Sequence, residues 1–380
     1  MTQPALVVVL CGVVVLACAA GAPAAEELRG VYMELHSNQR FGTLPLVPEK
    51  DWRRLFRELK GLGVNAVFPQ VVSPSGAVYP SRVVATRSEG SRQGFPDLLQ
   101  VILEAAHSEG LEVHPWTIEW YQAPKGTSAG RLVQDVEGKT ANTLCPSVAA
   151  NRELMRDMIL ELVTRYDIDG VQYDYMRLPG AQYCYCATCR TGFERRLGRQ
   201  VARWPDDVAK DGELEAPYVD FLCDTVSSFV EEMRPLIKQA KPRMVVSAAV
   251  WCNMETARNV GVRQDWGRWV ENGWLDFVAP MNYANQWLLD HFEELAAAEA
   301  RNVAGRIPLV YGIGAYQDTP EGQVNSVRVG RRLGGSGFIM YTLTEDTFTR
   351  HLPALSRQVW AEPATVPPFA PTGVRMDGRR

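Results

Sequence analysis

Hydrophobic and polar residues follow two alternating periods along most of the chain. Short runs rich in β-branched and aromatic residues are each followed by a longer segment whose apolar residues recur three or four positions apart. The first such pair is "RGVYMEL" and "PEKDWRRLFRELKGLG", in which the second segment ends at a glycine. The last pair is "SGFIMYTL" and "DTFTRHLPALSRQVW". The pattern predicts eight strand-helix units in strict succession.

Strands that alternate with helices form parallel sheets, because each helix returns the chain to the same end of the sheet. Eight is also the number of strands that closes a (β/α)8 barrel. We therefore predict an α/β chain with one barrel domain at residues 26–361 and a proline-rich, disordered tail at residues 362–380. A doubly wound open sheet is the alternative, but no G-x-G-x-x-G motif or P-loop opens any helix.

The first 25 residues differ from the rest. "ALVVVLCGVVVLACAAGAPAA" joins an apolar run to small residues, which is typical of a secretory signal peptide cleaved after Ala24 or Ala25. We expect an exported protein that is periplasmic, extracellular or lipid-anchored through Cys18. The alternative is a membrane anchor, although the apolar run of about 16 residues is shorter than the ~20 that span a bilayer. A membrane is therefore a partner only if the N-terminus is lipidated or anchored.

Composition narrows the classes of function. The chain has 380 residues, 46% hydrophobic and 22% charged, with a net charge of −4 and no long basic run, so nothing favours nucleic acid as a partner. Ser-His-Asp, G-x-S-x-G and H-E-x-x-H motifs are absent. Only five histidines occur, which disfavours a multi-histidine metal site. A polysaccharide deacetylase is a further alternative, but the chain lacks the Asp-His-His set of metal ligands that such an enzyme needs.

In a barrel of this kind, the active site lies at the carboxyl ends of the strands. Aromatic residues cluster at these predicted strand ends. Their rings suit stacking against the apolar faces of sugars, which favours a glycan as substrate. The alternative is that they cap the barrel core. We assign substrate contacts to Glu34, His114, Trp116, Trp120, Arg177, Trp251, Asn282, Tyr283, Tyr311 and Tyr341.

Asp174 is the predicted catalytic carboxylate. If Val171 and Tyr173 face the outer helices, then Gln172 and Asp174 face the barrel axis. An inward carboxylate is costly unless it is solvated or used. Glycoside hydrolysis needs two carboxyl groups and no cofactor. We therefore predict Asp174 as nucleophile or base and Glu119 as the provisional acid.

Five motifs in order resemble the glycosyl hydrolase-like 10 family of exported bacterial proteins, over roughly residues 28–345: "RGVYMEL", "GVNAVFPQV", "ILEAAHSEGLEVHPW", "YDIDGVQYDYMRLP" and "DWGRWVENGWLDFVAPMNY". The resemblance implies a (β/α)8 fold, export and action on glycans, with cell-wall polysaccharide as one candidate. Its D-G-[IV]-x-x-D motif places the strand-four carboxylate at Asp174. The family commonly has Asn-Pro-Tyr near the end of strand three, where this chain has "TIEWY", so the resemblance does not support Glu119.

Four cysteines form a candidate metal or disulfide cluster in the loops after strands three and four. They are Cys145, Cys184, Cys186 and Cys189. Four thiolates at such spacings suit a structural zinc ion, while two disulfides suit an exported protein equally well. Either would staple the loop after strand four. A catalytic zinc is disfavoured because four thiolates leave no open ligand position, and Cys223 and Cys252 are predicted to lie in the core.

These features together predict a glycoside hydrolase that acts on a polysaccharide or oligosaccharide. Only one carboxylate is well placed by the strand pattern, so a non-catalytic glycan-binding barrel is the alternative. Hydrolysis of glycans by the purified protein distinguishes the two hypotheses.

Overall fold

The fold is described from a computed structural model. The described residues are 25–35, 51–73, 76–86, 95–118, 120–121, 123–124, 126–283, 285–367 and 369. The predicted signal segment through Ala24, with Cys18, lies outside the described residues, as do the predicted acid Glu119 and most of the tail. Within the part of the chain that the structure describes, no helix combines the length and apolar character needed to cross a membrane.

Eight main strands follow one another along the chain. They are β1 (Leu28–Met33), β2 (Ala66–Pro69), β3 (Trp116–Ile118), β4 (Gly170–Asp174), β5 (Val245–Val250), β6 (Phe277–Pro280), β7 (Val310–Gly314) and β8 (Gly337–Tyr341). A two-residue strand, Glu112–Val113, precedes β3. This order reproduces the predicted succession of units.

The strands pair in parallel. One sheet has the order β6-β5-β4-β3, and the other runs β7-β8-β1-β2 and ends at Glu112–Val113. An isolated parallel bridge between Gln70 and Trp116 connects β2 to β3. Further bridges, Val278–Leu309 and Met281–Gly312, connect β6 to β7. The predicted α/β class with parallel strands is therefore confirmed.

Helices connect the strands. They are α1 (Trp52–Gly61), α2 (Leu98–Ser108), α3 (Ala149–Arg165), α4 (Ala187–Leu197), α5 (Glu215–Ala240), α6 (Trp266–Glu271), α7 (Gln286–Asp290), α8 (Phe292–Val303), α9 (Pro320–Arg332) and α10 (Leu352–Gln358). The side chains of Asp51, Asp97 and Thr319 accept backbone N–H groups at the starts of α1, α2 and α9. Such caps satisfy donors that have no partner within the helix, so they fix where these helices begin.

Side chains alternate between two apolar layers. Val31, Val171 and Tyr173 belong to the large core between strands and helices, whereas Tyr32 and Phe68 belong to a second, smaller apolar cluster on the opposite face of the strands. This is the two-residue period of a strand. The predicted outward direction of Val171 and Tyr173 is confirmed.

The chain continues to contact the sheets beyond residue 361. Ala364–Thr365 pairs in parallel with Ala25–Glu26, and the buried ring of Phe369 packs on Phe277 with ring centroids 4.7 Å apart. Phe277 opens β6, so these contacts lie at the amino ends of the strands. Described residues just past the predicted domain boundary at 361 therefore pack against the sheets, where the ring of Phe369 occupies an apolar site.

Candidate active site

Asp174 is the last residue of β4, and its side chain is buried, with 9% of the residue exposed. The backbone N–H of Tyr175 donates to its Oδ1 atom at 2.7 Å. Tyr175 has a φ of 51°, a left-handed conformation that is uncommon outside glycine. Backbone strain of this kind concentrates at functional sites. The strand therefore ends in a local geometry that fixes the Asp174 carboxyl group.

The surroundings of Asp174 change its acidity. Burial raises the pKa of Asp174 to about 6, because the ionised carboxylate loses its hydration. The positive charge of Arg177 and the N–H of Tyr175 oppose this rise in pKa, whereas the charge of Glu34 adds to it. A carboxyl group with a pKa of about 6 exchanges its proton close to physiological pH, which suits acid–base chemistry.

Glu34 is the second carboxyl group of the site. It follows β1, is 6% exposed, and accepts a hydrogen bond from the hydroxyl of Tyr341 at the end of β8. Strands β1 and β8 are paired neighbours, which brings these two residues together. Burial, followed by the charge of Glu34, raises the pKa of Tyr341 far above its usual range, so the phenol stays a hydrogen-bond donor. Glu34 and Asp174 therefore belong to one buried polar site.

Four tyrosines, which we call the tyrosine cluster, surround this site: Tyr32, Tyr283, Tyr316 and Tyr341. The rings of Tyr283 and Tyr341 are stacked, with centroids 5.1 Å apart and an interplanar angle of 7°. Tyr32 and Tyr316 meet Tyr341 edge-on at 5.7 Å and 6.1 Å. The Tyr316 hydroxyl donates to the Tyr283 carbonyl at 2.7 Å. Burial raises the pKa of both Tyr32 and Tyr283, and the charge of Asp174 adds to each rise.

Arg177 lies among aromatic rings beside Asp174. Its guanidinium carbon is 4.3 Å from the ring centroid of Tyr175 and 5.6 Å from that of Trp251. The opposing stack of Tyr121 on Tyr175, with centroids 4.4 Å apart, holds the Tyr175 ring in place. The positive charge of Arg177 lowers the pKa of Asp174. Cation–π contacts thus position the guanidinium without neutralising it.

Two predicted substrate contacts lie deeper between the strands. Trp116 is buried and meets Tyr32 edge-on at 6.0 Å, below the carboxyl groups. His114 is fully buried, stacks on Phe68, and has its Nε2 atom 2.9 Å from a carboxylate oxygen of Glu112. His114 precedes β3 rather than following it and packs near the amino ends of the strands, so its position does not support the predicted contact with substrate.

Three other predicted contacts face the helices. Trp120 is fully buried edge-on against Phe229 of α5. The Tyr311 hydroxyl donates to the Ala296 carbonyl in α8 at 3.2 Å, and the Asn282 side chain donates to Glu299 in the same helix at 3.0 Å. The positions of Trp120, Asn282 and Tyr311 therefore do not support the predicted substrate contacts. Proximity to a strand end did not specify which face of the strand each side chain takes.

Two members of the tyrosine cluster, Tyr32 and Tyr316, are not among the predicted substrate contacts. Tyr32 lies two residues before Glu34 on the same strand, so alternation places both on one face. That signal was available in the sequence. Tyr316 lies in the loop after β7, where no periodic pattern indicates the direction of a side chain.

The four clustered cysteines also come together. All are buried, and their sulfur atoms lie within 4.8 Å of one another. The Sγ of Cys145 is 3.7 Å from Cys184, 3.6 Å from Cys186 and 3.5 Å from Cys189. Across the described residues, this is the group of side chains with the composition and spacing to hold a metal ion.

The strands are parallel and alternate with helices, and two carboxyl groups and several aromatic rings lie at the carboxyl ends of the strands. This arrangement is that of an α/β glycoside hydrolase. The model of the family described as glycosyl hydrolase-like 10 matches residues 27–326. The chain belongs to this family, and the resemblance seen in its motifs is confirmed.

The chain is also similar to curated relatives in sequence and to a solved structure in fold. Glycosyl hydrolase DigH of Escherichia coli K12 is 26% identical over 265 residues, covering 59% of this chain and 56% of the relative. The chain thus spans about half the length of that relative. Glycosyl hydrolase YngK of Bacillus subtilis is 25% identical, covering 92% of this chain and 74% of the relative. The PgaB (BpsB) glycoside hydrolase domain of Bordetella bronchiseptica shares the fold, with a TM-score of 0.68, 16% identity and coverage of 87% and 98%.

Proposed function

We propose that the protein is an exported glycoside hydrolase that cleaves the glycosidic bonds of a polysaccharide by a two-carboxylate mechanism. The observation that carries this proposal is the buried Asp174, with its pKa raised to about 6, beside Glu34 at the carboxyl ends of the strands. Family membership supports the reaction class. Cell-wall polysaccharide is the first substrate to test, and export rests on the signal pattern of residues 1–25.

The proposed scaffold is a single closed (β/α)8 barrel that includes residues 26–361. Its support is the run of parallel pairings from β1 to β8, with β8 paired again to β1. The Gln70–Trp116 and Val278–Leu309 bridges connect the two sheets where the regular ladders stop. In such a barrel the carboxyl ends of all strands converge, so residues distant in sequence reach one substrate.

Asp174 acts as nucleophile or base in this mechanism, and either role requires its ionised form. Arg177 favours that form, while burial makes the carboxylate more basic than an exposed one. The tyrosine cluster and Trp251 provide apolar ring faces and hydroxyl donors for a sugar. Exclusion of water strengthens each electrostatic contact to the charge that develops on the sugar during bond cleavage.

Glu34 is the proposed second carboxyl group. Glu119, the acid predicted from the sequence, is the alternative. The hydrogen bond from Tyr341 orients Glu34 in the same site as Asp174. The second carboxyl group protonates the oxygen of the departing sugar. No cofactor takes part in this chemistry.

The test compares Asp174→Asn, Glu34→Gln and Glu119→Gln with the wild type on bacterial cell-wall polysaccharides and on activated aryl glycosides. Asp174→Asn should lower turnover on both substrate types by about 10³-fold. An activated aryl group departs without protonation. The variant of the true acid should therefore lose activity on polysaccharide and retain it on the aryl glycoside.

Glycan binding, measured on the same proteins, separates enzyme from binding protein. Retained affinity in the inactive Asp174→Asn variant is expected, because the substitution keeps the shape of the side chain. Binding without hydrolysis by the wild type as well as the variant would overturn the enzyme proposal in favour of the glycan-binding barrel. Equal activity of all four proteins would exclude these carboxyl groups from catalysis.

A further inference from the structure

The cysteine cluster (Cys145, Cys184, Cys186 and Cys189) connects the long loops that follow β3 and β4. Cys145 ends a hairpin formed by Leu132–Gln134 and Thr140–Leu144. The other three follow β4, and Cys186 is the residue immediately before α4. Around them a small apolar core forms apart from the main one, with Val133, Leu178, Phe193, Val208, Tyr218 and Leu222 among its members.

The distances between the sulfur atoms fit a shared metal ion. Zinc holds thiolates at about 2.3 Å in a tetrahedron, which places the sulfurs about 3.8 Å apart. The Sγ of Cys145 lies 3.5–3.7 Å from each of the other three. A disulfide brings one pair to about 2.05 Å and separates it from the rest. Here one cysteine is nearly equidistant from three partners, which is the geometry of a common centre.

The surroundings also suit a structural metal rather than a reactive dithiol. The four cysteines are at most 2% exposed, whereas reactive thiols lie in partly exposed positions. The Ser147 hydroxyl is 3.1 Å from the Sγ of Cys189, within reach to donate to a thiolate. The Tyr218 hydroxyl donates to the Cys184 carbonyl at 2.5 Å, which fixes the backbone that carries the thiol. Partners of this kind orient metal ligands.

We propose that Cys145, Cys184, Cys186 and Cys189 bind one structural zinc ion that clamps the hairpin to the loop after β4. A chain of contacts connects the clamped hairpin to the candidate active site. The hairpin pairs with the segment after β3, where Leu144 donates to the Trp120 carbonyl and Thr143 bridges to Tyr121. Tyr121 stacks on Tyr175, the residue after Asp174. The zinc ion therefore holds together the loops after β3 and β4, which carry the stacked rings of Tyr121 and Tyr175 beside Arg177.

The first test is the metal content of the native full-length protein, purified without chelator and analysed by elemental mass spectrometry. One zinc per chain is expected, released in step with modification of four thiols by a mercurial reagent. Cobalt substituted for zinc should give the visible absorption of a tetrahedral four-thiolate site. These readouts do not depend on glycosidase activity, so their outcome is separate from that of the proposed function.

Variants locate the ion. Cys186→Ser and Cys189→Ser should lose zinc, whereas Cys223→Ser and Cys252→Ser, matched buried cysteines outside the cluster, should keep it. The native metal content answers the question even if a cluster variant fails to fold. A metal-free native protein whose intact mass lacks two hydrogens for each cysteine pair would overturn the proposal in favour of disulfides. Four freely titrating thiols without metal would overturn both alternatives.

Discussion

Buried carboxylates lie at both ends of the parallel strands, in contrasting surroundings. Asp276 precedes β6 at the amino end, and it accepts hydrogen bonds from Arg234 at 2.9 Å, Lys238 at 2.7 Å and the Val246 N–H at 2.8 Å. Asp174 ends β4 at the opposite end, where burial raises its pKa to about 6 despite Arg177. The first carboxylate has two cations as direct partners. Ionising the second costs free energy, because the group is buried.

Other residues follow the same division. At the amino ends, Glu27 pairs with Arg29 and Arg331, and Asp169 accepts from the Val113 N–H beside His107. At the carboxyl ends, Glu34 is oriented by a neutral phenol. Carboxylates at the amino ends are therefore paired with cations or backbone donors, whereas Asp174 and Glu34 at the carboxyl ends form the candidate active site. A substitution of the same kind should have opposite effects at the two ends.

The largest effect on stability is expected for Asp276→Asn. Removing one charge from a buried pair leaves Arg234 and Lys238 without their partner, which should lower the free energy of unfolding by about 3–5 kcal/mol. Urea unfolding measures this change. As a control, Glu293→Gln breaks an ion pair whose side chains are 58% and 65% exposed, and it should cost less than about 1 kcal/mol. Equal stability of the two variants would break the comparison.

Asp174→Asn should stabilise the protein at alkaline pH. The folded-state pKa of about 6 is above the ordinary 3.8, so ionisation opposes folding as the pH rises through 6. The asparagine variant avoids that cost, which corresponds to a gain of up to about 3 kcal/mol at pH ~8 and none near pH ~4. Melting temperatures at the two pH values measure the difference. A variant less stable than wild type at both would make Asp174 a structural partner of Arg177.

The pH dependence of kcat/KM sharpens the assignment of Asp174. A nucleophile or base must be ionised, so activity should fall about tenfold for each pH unit below the pKa of the group. The bend is expected near pH 6, because burial raises the pKa of Asp174 to about 6. Arg177→Gln should move the bend to higher pH, whereas Arg177→Lys keeps the charge and should leave it nearly unmoved. A profile flat down to pH ~4 in folded protein would exclude Asp174.

The smallest effect is expected at Glu299, a buried carboxyl group in α8 behind the sheet. Burial raises the pKa of Glu299 well above its ordinary value, which favours the neutral form of the carboxyl group. Glu299→Gln should therefore change stability near pH ~7 by no more than about 1 kcal/mol, since it keeps the neutral hydrogen-bonded shape. At alkaline pH the variant should become the more stable protein. A large loss near neutrality, measured by urea unfolding, would mean that Glu299 is ionised there.

Much of the fold was predictable because it depends on local periodicity. Alternation placed Asp174 on the inner face of β4, and the strand-helix succession gave the parallel order. At the ends of other strands alternation was not applied, so the directions of the side chains there were not predicted. Asn282 and Tyr283 are adjacent in sequence, yet Asn282 bonds to Glu299 in α8 while Tyr283 stacks on Tyr341.

Contacts between distant segments could not be predicted from the sequence. Glu34 and Tyr341 are 307 positions apart, and their hydrogen bond depends on the pairing of β8 with β1. The raised pKa of Asp174 likewise depends on its burial, which no single segment specifies. The grouping of Cys145 with the other three cysteines was suggested by composition, but its geometry depends on where the hairpin folds back.

The pairing of Ala25–Glu26 with Ala364–Thr365 has a practical consequence for orientation. Both segments lie at the amino ends of the strands, opposite Asp174, so a tether attached near either one leaves the candidate active site on the side facing away from the support. A protein fixed to a bead or a surface in this way still presents the carboxyl ends of its strands to an insoluble polymer. The same adjacency makes the two segments natural points to join in a circularly permuted chain.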